Sequence, residues 1–405
     1  VSASADHQGR LAFLVPAKIA FGSMVTDLTV KGTWTGGSVP RFGVTLTGTK
    51  VVLEHLRPLA GPVAWLAGFP ARRTSSPMSL SLPGLVPAQP VTAEWGAVPG
   101  SVRVMLGQVR ANGWDYEDVG GSVTLERGAV RLEGGHGRLP PYNTAKLEGA
   151  ITFEPSGALP YRLNATAAIA GLDAAALLPA SGATQPRVWE GKYTATVKST
   201  GAAGGVGELW RRRTDEFRLT SDGGFIRLLG TQIADAIPRN EPKRNETLSR
   251  LGAALGDVFK TKREDDIEIV PSATSRKAET VLNFTYRIRE IRYSALAVTA
   301  FRTVDGTIHL NDIEIEAAQE RLTGTGQIAA AEAASLTARP LRLDLKLALR
   351  GDAAQVLADS GLLTDQKDAK GYTRFAEPIH LVGTLDRIDE TQWRELLVKA
   401  ALRNP

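Results

Sequence analysis

From Leu341 to Leu349 every odd position is leucine, while the even ones carry Arg342, Asp344, Lys346 and Ala348. Successive side chains of a strand point to opposite faces, so this run predicts a strand with one dry face and one wet face. Shorter runs of the same kind are Val44 with Leu46, Val51 with Leu53, and Val102 with Val104 and Leu106. Others are Val123 with Leu125, Val130 with Leu132, and Ile308 with Leu310, the last followed by Ile313 with Ile315. Arg127-Gly128, Gly134-Gly135, Asp222-Gly223-Gly224 and Asp305-Gly306 punctuate them. A positive φ costs little at such residues, so the chain reads as successive antiparallel hairpins.

A longer period overlies the alternation. The stretches Asp173 to Gly182 and Asp352 to Gly361 share Asp-Ala-Ala, a leucine and a closing Ser-Gly, and each follows an alternating run that ends in glycine, at Gly171 and Gly351. The upstream order recurs too: hairpin, short strand, strand with an embedded glycine, alternating strand, short helix. In the first set these are Val123 to Leu132 turning at Gly128, then Leu139, then Leu147 to Ile151. In the second they are Val298 to Leu310 turning at Gly306, then Ile315, then Leu322-Thr323-Gly324. Repetition of a supersecondary unit predicts a modular β architecture and argues against a single catalytic pocket. The expected divisions are a less regular N-terminal β region over 1–108, a first repeat unit over 109–182, a β segment over 183–287 with a helical insertion at about 230–263, and a second repeat unit over 288–405.

Helices are few. One is expected from Asn245, a good N-cap, with Leu248, Leu251, Leu255, Val258 and Phe259 on one stripe and basic residues flanking it. Gly252, Gly256 and Asp257 weaken it as a membrane-surface helix and favour packing on a sheet edge. A last helix, capped by Asp389 or Thr391, places Trp393, Leu396, Leu397 and Ala400 on one side and is expected to close an open sheet.

Composition removes several classes of function. Cysteine is absent from the 405 residues, so disulfides, thiolate catalysis and Cys-based zinc sites are excluded. The 48 basic side chains are nearly offset by 43 acidic ones, giving a net charge of +5, too mild for nucleic acid. No stretch approaches the roughly 20 apolar residues that span a bilayer, and the chain opens at Val1, which suggests processing or excision.

Candidate chemistry is sparse. His7, His55, His136, His309 and His380 are scattered without metal-ligand spacing. Ser181 and Ser360 lack a nucleophile elbow, and Gly324-Thr325-Gly326 and Gly204-Gly205-Val206-Gly207 lack the dinucleotide spacing and are read as turns or bulges. Arg211-Arg212-Arg213 beside Trp210 is a candidate for anionic head groups but reads first as a solvated loop. Asp265-Asp266-Ile267-Glu268 lacks the periodicity of a calcium loop. No catalytic residue, metal site or cofactor is expected.

Four stretches carry a family resemblance: Phe217 to Arg227 with its Asp222-Gly223-Gly224, Asp305-Gly306 to Ile313, Leu322-Thr323-Gly324-Thr325-Gly326-Gln327-Ile328, and Leu381-Val382-Gly383-Thr384-Leu385-Asp386. In order and repetition they resemble the C-terminal region of the AsmA-like family, including its TamB-type members of the Gram-negative envelope, over about 110 to 403. The resemblance implies a mainly β fold: an elongated, curved antiparallel sheet of repeated hairpin units forming an open β-groove, with a few short amphipathic helices. It also implies a periplasmic location and anchoring to the inner membrane by an N-terminal helix outside this sequence. The function implied is non-enzymatic shielding of phospholipid acyl chains during transport between the inner and outer membranes, alongside envelope protein partners.

Candidate groove residues are Val123, Leu125, Val130, Leu132, Ile308, Leu310, Leu341, Leu343, Leu345, Leu347 and Leu349. The same leucines fit a closed sandwich equally well, in which the apolar faces meet one another. Two other classes stay open: an assembly factor that binds outer-membrane protein strands by β-augmentation, and a secreted hydrolase or carbohydrate binder supported by seven dispersed Trp.

Overall fold

The computed structural model describes residues 2–7, 9–21, 24–55, 92–96, 98–111, 114–139, 143–173, 189–229, 283–330, 338–358, 361–385 and 387–402. Among these the protein is mainly β, with strands that follow one another in hairpin-like succession and a few short helices. The chain divides into two compact units. The first comprises Val1–Leu172, Thr194–Glu216 and Thr303–Asp305, and the second Asp173–Tyr193, Phe217–Arg302 and Gly306–Pro405. No helix among the described residues is long and apolar enough to cross a membrane.

In the first unit, β1 (Ser2–Ala5), β2 (Arg10–Phe21), β3 (Met24–Thr35) and β4 (Arg41–Val52) pair antiparallel in sequence order. So do β5 (Gly100–Ala111), β6 (Trp114–Glu126), β7 (Ala129–Leu139), β8 (Asn143–Phe153) and β9 (Tyr161–Asp173). The join between the two sets departs from the hairpin expectation, because β4 and β5 run parallel, from Phe42 opposite Gly100 to Val52 opposite Arg110. Parallel neighbours require a crossover of a dozen or more residues, and Val52 and Gly100 are far enough apart in the sequence for one. The region expected to be less regular thus contains three twelve-residue strands in unbroken succession, and the expected boundary at 108 falls inside β5. The unit also contains most of β10 (Trp189–Ala203) and the short α1 (Val206–Arg211), which is followed by β11 (Thr214–Ser221).

In the second unit, β12 (Gly224–Ile226) lies between the first residues of β10 and β13 (Ile291–Arg302). A three-strand antiparallel run follows through β14 (Ile308–Ala317), β15 (Glu320–Ile328) and β16 (Pro340–Leu349). Across its other edge β16 meets β18 (Thr373–Phe375) at Ala348 and Leu349, and β19 (Ile379–Thr384) from Pro340 to Leu345. Strand β17 (Leu363–Lys367) pairs with β18, and β20 (Ile388–Asp389) with β19. Helices α2 (283–288), α3 (Asp352–Val356) and α4 (Thr391–Leu402) complete it. The Asp389 carboxylate accepts from the Thr391 N–H at 2.9 Å and its hydroxyl at 2.6 Å, and so caps the start of α4 as expected. Trp393 and Leu397 of α4 are buried, and the Trp393, Phe375 and Phe284 rings pack together with centroids 5.7 to 6.4 Å apart.

Glycine and alternation explain the local irregularities. In β14 the apolar positions switch from even (Ile308, Leu310) to odd (Ile313, Ile315), and the register slips between Leu310 and Ile313, so all four residues stay on one face. Gly134-Gly135, expected as a turn, is instead a bulge inside β7, with Gly134 at φ 59° and pairing that jumps from Leu132–Gly149 to Gly135–Leu147. Gly324 and Gly326 sit within β15, where a strand with an embedded glycine was expected, and they flank Thr325 opposite the β14 bulge, in keeping with the bulge reading. A Cβ on Gly326 would lie 2.6 Å from Leu343 Cδ2 and 3.2 Å from Leu310 Cδ1, so these glycines leave room for leucines on the flanking strands. The helix expected from Asn245, most of the Asp173 signature, and the Asp265 acidic run lie outside the described residues.

Candidate functional site: an apolar sheet face

Residues directly opposite one another on paired strands share a face. Following the pairing from strand to strand in the first unit gives one lateral row: Phe13, Gly32, Val44, Val102, Val123, Leu132, Gly149 and Ala165. A parallel row begins at Val15 and runs through Val30, Leu46 and Val104; another begins at Leu11 and runs through Trp34, Phe42, Gly100, Leu125, Val130, Ile151 and Leu163. The opposite face carries Ala12, Thr33, Gly43, Ser101, Thr124, Arg131, Ala150 and Asn164. Eight strands spaced by about 4.8 Å make an apolar face roughly 34 Å across.

That face is closed at two places and accessible between them. At the Leu125 and Val130 end, Trp95, Phe153, Tyr161 and Leu163 are buried together with Leu209 of α1. Trp95 is fixed there by its indole N–H, which donates to the Glu126 carbonyl at 2.8 Å, and it packs edge-on against Tyr161 at 5.8 Å between ring centroids. Glu94 ties the segment down further: its N–H donates to the Tyr161 hydroxyl at 2.9 Å and its carboxylate accepts from Val206 N–H at 3.0 Å. Burial pushes the Tyr161 hydroxyl above its ordinary pKa. Toward the other end of the strands Leu28, Val51, Leu106 and Val109 form a second buried cluster. Thr26 secures it, accepting from Val52 N–H at 3.0 Å and meeting His55 Nδ1 at 3.0 Å. Between the clusters Phe13, Val15, Val44, Val102, Val123 and Leu132 are only half-buried, and Leu147 is exposed.

The second unit treats a similar face differently. Leu343 and Leu345 of β16 face Leu381 and Ile379 of β19, while Leu347 faces Leu322 of β15 and Leu322 faces Ile315 of β14. Leu341 and Leu343 are 4 % exposed and Leu345, Leu347 and Leu349 are 0 % exposed. These five leucines, expected to line a groove, are instead interior residues and face no open groove. Alternation reports that a face is apolar and is silent on whether anything covers it. Only toward the Ile308 and Leu310 end does this face become half-buried.

Among the sequence candidates, then, Val123 pairs with Leu132 on the accessible part of one face, Leu125 pairs with Val130 where the Trp95 cluster closes that face, and Ile308 and Leu310 lie in the other unit. Phe13 and Val15 belong to the same accessible face and were not singled out from sequence; Val30 and Leu46 lie on that face beside the Leu28 cluster, Leu46 having been read only as part of a strand. The signal there was weak: between Leu11, Phe13, Val15, Ala17 and Ile19 stand Ala12, Leu14, Pro16 and Lys18, so apolar residues occupy both parities and alternation does not mark the face.

No group of three or more metal-ligating side chains occurs among the described residues. His136 Nδ1 meets the Gly134 carbonyl at 2.8 Å, and His380 is paired with Asp344 across β16 and β19. The arginine triplet is engaged locally: Arg212 bonds Glu208 at 3.0 Å, lowering the pKa of that carboxyl, and Arg213 bonds Asp215 at 3.1 Å. No protein-family model, curated protein or solved structure matches this chain.

Proposed function

We propose that this protein is a non-enzymatic carrier of the Gram-negative envelope, whose apolar sheet face shields phospholipid acyl chains in transit between the inner and outer membranes. The observation that carries the reading is the half-buried apolar face of β2 to β9. A monomeric soluble domain seldom leaves so wide an apolar surface accessible unless something binds there. Each methylene moved from water onto such a surface contributes about 0.8 kcal/mol, so an acyl chain is held without polar specificity. Val123 and Leu132 form the floor, Leu125 and Val130 the margin beneath Trp95. Such a carrier has no need of a catalytic group, metal or cofactor. The AsmA-like resemblance supports the same assignment and adds a periplasmic setting with an inner-membrane anchor outside this sequence. Mass spectrometry of the purified protein is expected to find phospholipid at defined stoichiometry, lost in Val123→Asp with the β spectrum intact; lipid-free protein, or equal lipid in the variant, would contradict the proposal.

One observation favours a second reading, assembly of outer-membrane proteins by β-augmentation. Strand β1 covers β2 only from Leu11 to Leu14, so the outer edge of β2 from Val15 to Phe21 has no paired strand among the described residues. An extended client strand could add there. Lipid-free protein that binds unfolded porin peptides would favour this reading.

A further inference from the structure

We propose that the strand-end lip formed by Leu11, Trp34 and Val39, with Arg10 and Arg41 beside them, is a docking surface for an anionic phospholipid bilayer. The lip is the meeting point of two turns. The β1–β2 turn and the β3–β4 turn lie at one end of the sheet, joined by a hydrogen bond from the Gly36 N–H to the Gly9 carbonyl at 3.3 Å. Val39 projects from the β3–β4 turn at 47 % exposure, and Leu11 and Trp34, paired across β2 and β3, are 39 % and 37 % exposed.

The lip occupies the margin of the accessible apolar face, since Leu11, Trp34 and Phe42 are the β2 to β4 members of the row that Trp95 covers farther along. On β2 and β3 the row is exposed, and at Phe42 of β4 it is half-buried. A tryptophan at an apolar margin suits the bilayer interface, where the ring lies among acyl chains and the indole N–H stays hydrated.

Charge selects the partner. Arg10 and Arg41, both opposite Thr35, lie at the same strand ends on the other face of the sheet; they are exposed, and neither forms an ion pair among the described residues. The turn Gly36-Gly37-Ser38-Val39-Pro40 contains no acid, and the nearest one in sequence to Arg10, Asp6, accepts from the Arg10 backbone N–H at 2.9 Å. A bilayer met end-on by these strand termini touches both faces at once, the aliphatic and indole groups entering hydrocarbon and the guanidinium groups of the other face meeting anionic headgroups. The inference rests on the acyl-carrier reading for its purpose, placing the bilayer where lipid reaches the face, but its binding test stands alone.

The test is flotation of the full chain with vesicles of phosphatidylcholine, with and without phosphatidylglycerol. The wild type is expected to float with the anionic vesicles and weakly with the neutral ones. Val39→Asp is expected to lower binding roughly tenfold, and Arg10→Glu or Arg41→Glu roughly fivefold each, with loss of the anionic preference. Val25→Asp, at an equally exposed valine near the other end of β3, is expected to change nothing. Failure of the wild type to float, an equal loss in Val25→Asp, or lip variants that dissolve a self-associated form of the protein would overturn the proposal. Co-purified lipid measured in parallel separates the two readings: protein that carries lipid but never floats defeats the lip alone, and lipid-free protein that floats defeats the carrier alone.

Discussion

Val123 of β6 and Leu347 of β16 occupy equivalent positions in their own units, each on the apolar side of a central strand, yet one is half-buried and the other fully buried. The difference lies in what lies over the strands. Along β16 the leucine row is sealed, and the same unit buries the Phe284, Phe375 and Trp393 rings against one another. In the first unit the Trp95 cluster and the Leu28 cluster close the apolar face at two places and leave the middle accessible. One pattern of alternation thus serves both as core and as an accessible lane, and the choice is made by segments remote in sequence.

Substitutions that act unequally on the two faces test this contrast. The largest effect is expected from Leu347→Asp, which places a carboxylate in an apolar interior and costs about 4 kcal/mol or more; denaturant unfolding is expected to lose the transition of the second unit, and a fully folded variant would show that the row is open. Trp95→Ala removes the plug and its bond to Glu126, at about 3 kcal/mol by the same measurement. Gly326→Val drives a side chain into Leu343 and Leu310 and is expected to cost about 2 kcal/mol. Val123→Asp, on the accessible face, is expected to cost only about 1 kcal/mol, with unfolding barely shifted although lipid is lost. Equal destabilisation by the two aspartates would erase the contrast.

The smallest effect depends on pH. In the second unit the Tyr193 and Tyr293 hydroxyls are hydrogen-bonded at 2.8 Å, with Ser221 Oγ at 3.2 Å from Tyr293. Burial, reinforced by Tyr293, raises the Tyr193 pKa well above 10.0. The folded state therefore retains a proton that the unfolded chain releases, so the stability conferred is intact below pH 10.0 and falls as pH rises beyond it. Tyr193→Phe is expected to flatten the alkaline part of the thermal-stability profile and leave neutral pH almost unchanged; an unaltered alkaline slope would assign it to other groups.

Much of the fold was legible because alternation and glycine turns are local signals. The Leu341 to Leu349 run gave β16, and Arg127-Gly128 and Asp305-Gly306 gave their hairpins, because each rests on side chains a few residues apart. The parallel joint of β4 and β5 was not legible, since nothing in either strand encodes the direction of a partner reached through a long crossover. Gly324 was legible as a strand glycine and the bulge beside it was anticipated, but what Gly324 and Gly326 accommodate, Leu345 and Leu343, lies on another strand and was not. The candidate site was half legible. Val123 and Leu132 could be named from alternation, but the burial of the β16 leucines depends on packing from outside the strand, which no local pattern announces.

The absence of cysteine permits the most direct test of the central claim, because a single engineered thiol is labelled uniquely. Leu132→Cys reports from the apolar face and Arg131→Cys, the adjacent residue of β7, from the polar one. With a polarity-sensitive fluorophore at each position and phospholipid titrated in, a saturable blue shift is expected at 132 and none at 131. An equal response at both positions, or none at 132, would contradict the account.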